Sequence, residues 1–186
     1  MGMMVRPHIA YLRFRERRRA RSAKIVRSDI SLDSLPQVTL VPAAGREDLQ
    51  KKLLKLFKWN PAPYDLAPRN RRSFMRELSR GTQYFMIHND RDELVGGLAY
   101  QTWRNMPCQL VIDYRHRSMG YGISAMKEIE RVKTREGVTE LWGQVIKSNK
   151  RMLSLMLSLG YRYVDEQEAP QYFTFVKKIA SDDEDH

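Results

Sequence analysis

The chain has a single cysteine, Cys108, so no internal disulfide can form and a reducing compartment is the expected setting. Its four histidines, His8, His88, His116 and His186, are too scattered to suggest a metal site. No apolar run approaches the length of a membrane span, and the first residues lack the apolar stretch of a secretory signal. No internal repeat is visible, and biased composition is confined to the two charged ends. These absences lead to the expectation of a soluble, cytoplasmic protein without a metal. With 186 residues it is long enough to bury one core without staples.

Basic residues are in excess. The net charge is +11, and residues 1–28 hold nine Arg and Lys against Glu16 alone. The last six residues, SDDEDH, are acidic, and residues 29–180 still carry +7. The composition predicts a basic tail over 1–36, a folded body over 37–180 and an acidic end over 181–186. A run of this kind is ordinarily a solvated tail. It is also the one place where the sequence suggests nucleic acid, through counterion release, although only Tyr11 and Phe14 accompany it as stacking partners.

Along the body, VTLVP at 38–42 reads as a short strand. GREDLQKKLLKLFKW at 45–59 places Leu49, Leu53, Leu56 and Phe57 on one helical stripe, and NPAP ends it. APRNRRSFMRELSRG at 67–81 predicts a second helix with Pro68 in its first turn, Phe74, Met75 and Leu78 inward, and Gly81 as its stop. TQYFMIHN and ELVGGLAYQTW, joined by DRD, form a hairpin signature, and CQLVID follows as a third antiparallel strand. After a glycine loop come a helix over about 121–136, a strand TELWGQVI, a helix ending at Gly160, and two closing strands.

The glycine loop is RSMGYG, residues 117–122, set between a strand and a helix. Backbone N–H groups gather there at the positive end of a helix dipole, and glycine allows a close approach. A phosphate or pyrophosphate fits, with Arg117 as a charged donor. A tight turn gives the same pattern. No Gly-Lys-Ser/Thr follows, and the first glycine of the dinucleotide fingerprint is missing, so nucleotide hydrolysis and hydride transfer lose ground.

LVIDYRHRSMGYGISAMKEI, followed by ELWGQVIKSNKRMLSLMLSLGY, resembles the GCN5-related N-acetyltransferase (GNAT) family. The second phrase is most similar to the acetyltransferase domain of bacterial protein lysine acetyltransferases. The resemblance implies an α/β (α+β) GNAT fold, a mixed, mostly antiparallel sheet of about seven strands flanked by about four helices. It implies acetyl-CoA as cosubstrate and a primary amine as acceptor, with a protein lysine as one candidate. Leu110, Val111 and Ile112 would bond the pantetheine arm through the backbone. The loop residues Arg117, Ser118, Met119, Gly120, Tyr121 and Gly122 would hold the pyrophosphate, and Asn149 would bond the pantetheine from the head of the later helix.

The resemblance also places a glutamate base at the position of Pro107 and a tyrosine acid at the position of Met156, and neither is there. Asp113, Tyr114, Tyr172 and Cys108 are the substitutes at hand, each with a plainer reading as turn, core or rim, so no catalytic residue is assigned. Two functions therefore stand open: an N-acetyltransferase, and an acyl-CoA-binding regulatory module that has kept the loop and lost the base. The oligomeric state is not legible.

Overall fold

The computed structural model describes residues 34–59, 68, 70–164 and 171–179. The expectations for the Arg-rich tail with Tyr11 and Phe14, the NPAP breaker and the acidic end lie outside the described residues.

Seven strands and four α-helices are present among the described residues. Strand β1 is Val38–Pro42, helix α1 Glu47–Trp59, helix α2 Arg71–Ser79, strand β2 Thr82–Asn89, strand β3 Leu94–Gln101 and strand β4 Met106–Ile112. Helix α3 is Tyr121–Arg135, β5 Glu140–Ile146, α4 Lys150–Ser158, β6 Arg162–Val164 and β7 Tyr172–Lys178. The strands form two hydrogen-bonded sheets, ordered β1-β2-β3-β4 and β5-β7-β6, and every ladder within them is antiparallel. This is the mixed α+β architecture expected, with the sheet split in the middle.

Each face of the four-stranded sheet is buried by a different layer. On one side α1 and α2 supply Leu49, Leu53, Leu56, Phe57 and Phe74, which pack with Tyr84, Met86, Ala99 and Val111. The Phe74 and Tyr84 rings stack with centroids 4.2 Å apart. Helix α1 lies so close that a Cβ on Gly97 would come within 2.6 Å of the end of the Leu53 side chain, which would have to shift. On the other side α3 contributes Ala125, Met126 and Ile129 to a larger core with Ile87, Leu98, Leu141, Val145, Met156 and Phe175.

Lys133, near the end of α3, is 1% exposed. Its Nζ donates to Gln83 Oε1 and Glu136 Oε2, each at 2.7 Å, and stands 4.4 Å from the centre of the Tyr100 ring. A buried ammonium requires such partners. The arrangement fixes the C-terminal end of α3 against the sheet.

Helix α2 starts later than the sequence predicts. Its N-cap is Asn70, whose Oδ1 accepts from Ser73 N at 2.9 Å while Ser73 Oγ accepts from Asn70 N at 3.3 Å. Pro68 is buried ahead of that cap and not in the first turn. The reciprocal bonds satisfy two amides that a proline start would leave to solvent. Gly81 follows the helix with φ +85°, the left-handed stop expected of it. Replacing Asn70 by Ala should cost about 1 kcal/mol in urea unfolding, the usual worth of an N-cap. A loss below about 0.3 kcal/mol would show that the cap does not hold the helix.

Candidate functional site

Among the described residues one backbone hydrogen bond joins the two sheets. Trp142 N donates to Asn105 O at 2.9 Å, joining the start of β5 to the residue before β4. Beyond it β4 is the edge of its sheet and a cleft opens, lined by Pro107, Cys108, Gln109, Leu110 and Val111 from one side and Gly143, Gln144, Val145 and Ile146 from the other. Asn149, Met152, Met156 and Tyr172 complete the lining.

The direction of the β4 backbone follows from its ladder. Asp113 N donates to Val95 O at 2.9 Å, and Val111 stands opposite Gly97 in the same register. Backbone groups alternate sides along an antiparallel strand. Val111 therefore turns its N–H and C=O toward β3, and Leu110 and Ile112 turn theirs toward the cleft. The Val111 side chain is also committed, being 7% exposed in the α1–α2 core. Of the three β4 residues that the resemblance singles out, two can offer backbone bonds to a bound chain.

A register shift between Ala99 and Tyr100 leaves Cys108 bulged between Pro107 and Gln109. The Cys108 thiol donates to Ala99 O at 3.5 Å, and burial, more than any other cause, pushes its pKa up to about 12. It is a protonated packing group, with almost no thiolate near neutral pH. Pro107, opposite Tyr100, stands on the cleft wall; an edge strand tolerates a residue without an N–H.

The glycine loop turns through two left-handed residues, Ser118 at φ +66° and Gly120 at φ +88°. Gly120 is the N-cap of α3, and Ile123 N and Ser124 N return to its carbonyl at 2.9 and 3.1 Å. A Cβ on Gly120 would lie 2.9 Å from Pro36 and 3.2 Å from Leu35, so the loop is packed from behind as well. Gly122 has ordinary helical geometry, and a Cβ there would meet Leu155, Leu110 and Ile112 at 3.6 to 3.9 Å. The two glycines thus differ: the backbone requires one, and the other stands at the mouth between β4 and α4.

The loop's other residues are arranged around that mouth. Arg117 Nε donates to Ile112 O at 3.0 Å, which fixes an exposed guanidinium at the end of β4. Tyr121 lies edge-on to His116 at 5.9 Å, and Met119 is 57% exposed. Asn149 caps α4, its Oδ1 accepting from Met152 N at 3.3 Å.

Sequence reasoning missed Arg151. From the first turn of α4 it reaches across to Ser118 Oγ at 3.4 Å, adding a second cation at the loop. Its signal was only a helix phase: two residues after the Asn149 cap, a side chain faces back along the helix axis toward whatever precedes the cap.

The substitutes for an acid or base divide. Asp113 caps the short 3₁₀ turn Tyr114–His116, and its Oδ1 accepts from Arg115 N at 3.0 Å and Arg115 Nε at 3.2 Å. Burial works against its ionisation, yet the Arg115 bonds and charge, with His116, outweigh burial and hold the carboxyl below its usual range. It is a strand-ending turn residue. Tyr114 is 51% exposed and is not among the residues lining the cleft. Tyr172 does line it, opposite Ile146 in the ladder, and Met156 forms part of the floor.

A profile of the acetyltransferase (GNAT) family matches residues 47–161, which spans both cleft walls, the glycine loop and α4. The chain belongs to the GNAT acetyltransferase family.

No match is found among curated protein sequences. Similar solved structures include an acetyltransferase from Thermus thermophilus, 20% identical, covering 76% of this chain and 97% of that one with a TM-score of 0.59. Another is a spermidine N-acetyltransferase from Vibrio cholerae in complex with CoA and spermine, at 13% identity, 78% and 97% coverage and a TM-score of 0.58. A third is a GNAT family acetyltransferase from Elizabethkingia anophelis with acetyl-CoA bound, at 13% identity, 76% and 98% coverage and a TM-score of 0.57. At these identities the likeness is one of fold.

The two loop glycines should separate experimentally. Gly120→Val should lower the thermal midpoint as well as weaken CoA, because φ +88° and the Pro36 contact both oppose a side chain. Gly122→Ala should leave the midpoint within about 2 °C, a shift below 1 kcal/mol for a domain of this size. Equal midpoints for Gly120→Val and the parent would show that the loop conformation is not the one described.

Proposed function

We propose that this GNAT protein transfers an acetyl group from acetyl-CoA to a primary amine. The observation that supports the reading best is the cleft itself. It offers two β4 backbone positions at Leu110 and Ile112, a glycine-turned helix N-terminus, and the guanidinium groups of Arg117 and Arg151 at one mouth. A thioester carried on a pantetheine arm fits this arrangement. The arm's amides would pair with the edge of β4 as an added strand does, and Asn149 would bond it from the head of α4. Its pyrophosphate would lie on the α3 amides between the two arginines.

The chemistry needs three things: removal of a proton from the amine, stabilisation of the oxyanion by an N–H donor, and protonation of the departing thiolate. The Leu110 N–H, aimed into the cleft next to the Cys108 bulge, is placed for the second task. For the third, the described cleft wall supplies the Tyr172 hydroxyl; for the first, no carboxylate or imidazole is among the described lining residues. The acceptor class includes a protein lysine, as the likeness of GQVIKSNKRMLSLMLSLGY to bacterial lysine acetyltransferases suggested. The excess of basic residues on the body disfavours a polyamine, which would be repelled.

A second reading is a regulatory module that binds acyl-CoA without turning it over. Pro107 favours it, because it stands on the cleft wall where a base would be useful.

Thiol release from acetyl-CoA, measured against a panel of amines and acceptor proteins beside calorimetric CoA binding, decides between the two. Turnover supports the enzyme. Binding without turnover on any acceptor supports the module, and absence of both rejects the site. If turnover is slow because proton removal limits it, Pro107→Glu should raise it, since a positioned base is worth about 10²–10⁴-fold. A fast parent that Pro107→Glu does not improve would place the base elsewhere.

A further inference from the structure

The layer formed by α1 and α2 contributes no residue to the lining of the cleft, yet it carries a dense set of charges. Residues 46–59 and 70–81 hold nine Arg and Lys against three acids. The acids are occupied locally. Glu47 pairs with Arg71 at 2.5 Å and Lys51 at 3.9 Å, Asp48 with Arg46 at 3.9 Å, and Glu77 with Arg80 at 3.7 Å. The Arg71–Glu47–Lys51 chain also ties the start of α2 to the start of α1. Lys52, Lys55, Lys58, Arg72 and Arg76 are exposed, and among the described residues none of them has a carboxylate partner.

Their spacing makes rows. Lys51, Lys55 and Lys58 share one face of α1, and Arg72, Arg76 and Arg80 share one face of α2. Four residues of helix advance about 6 Å, a step comparable with the separation of successive phosphates in an extended strand. The arginine row then ends at an aromatic. Trp103 rests its ring edge against Gly81, where a Cβ would be 3.7 Å from it, and it remains 51% exposed. Arg104 is exposed beside it.

We infer that the α1–α2 face, closed at one end by Trp103, binds single-stranded nucleic acid. The arginines follow the phosphate backbone, and the open indole stacks one base. The helical step along the arginine row matches a strand of successive phosphates, and the indole at its end is open to a base. The site is built from residues of the folded body, none of them in the Arg-rich tail or the acyl-CoA cleft. It therefore holds whether or not the chain turns over acetyl-CoA.

Fluorescence anisotropy of a labelled 12-residue uridine oligonucleotide, titrated with the full chain at several salt concentrations, tests this. The triple variant Lys55→Gln/Arg72→Gln/Arg76→Gln should bind at least tenfold more weakly. Its slope of log affinity against log salt should fall by about 2, since each phosphate contact contributes about 0.7 on a single strand. Trp103→Ala should lose roughly tenfold with the slope unchanged, as expected for a stacking contact. Thermal unfolding confirms that each variant is folded. Failure of the parent to bind overturns the inference. So do variants that bind like the parent, which would assign any retention to the tail. Polyglutamate displacing the oligonucleotide at equal charge, or an inert Trp103→Ala, would reassign the face to an acidic protein and overturn it as well.

Discussion

Among the described residues one backbone hydrogen bond, from Trp142 N to Asn105 O just ahead of β4, joins the two sheets, and beyond it β4 and β5 share no ladder. A sheet that stayed zipped would satisfy its own edge groups and leave nothing for a ligand. The separation instead exposes the Leu110 and Ile112 backbone in a cleft that Met156 floors. It also places the head of α4 across from the glycine loop, so that Arg151 and Ser118 meet. The loop, the cap at Asn149 and the guanidinium of Arg117 all take their positions from that divergence.

Helix α3 has to be held from its far end for its first amides to serve the cleft. The buried Lys133 does this, bonded to Gln83 and Glu136 over the Tyr100 ring, and Glu130 is fixed to Lys177 at 2.5 Å on the same helix. Burial, with the Glu136 charge adding to it, pushes the Tyr100 phenol up to about 12, so the ring stays neutral beneath the ammonium. At the other end Gly120 begins the helix with φ +88°, and a side chain there would run into Pro36. Arg117 and Arg151 place positive charge near the mouth, while the Asp113 carboxylate at the end of β4 is spent on its own turn.

Much of this was legible in the sequence, for physical reasons that differ by element. β2 was readable to the residue because a polar turn bounds an apolar run. The stops at Gly81 and Gly160 were readable because both take the left-handed conformation. The start of α2 was misplaced because proline is a general helix-start signal, whereas the Asn70–Ser73 reciprocal bonds are a specific one. β4 begins at Met106, two residues ahead of the predicted run, because the strand lies at an edge that accepts Pro107. The role of Lys133 was hidden, since amphipathic patterning places a lysine outside. Which β4 residues face the cleft could not be read at all: it depends on the register with β3 and on the bulge at Cys108, and side-chain pattern carries neither.

Amide hydrogen exchange, resolved by residue with and without CoA, tests the account most directly. The exposed backbone of Leu110 and Ile112 should gain protection on binding, together with the first amides of α3 at Tyr121 and Gly122. Val111, already committed to β3, should exchange at the same rate in both states. Protection that includes Val111 and omits its neighbours, or that falls outside β4 and the glycine loop, would contradict the cleft as the acyl-CoA site.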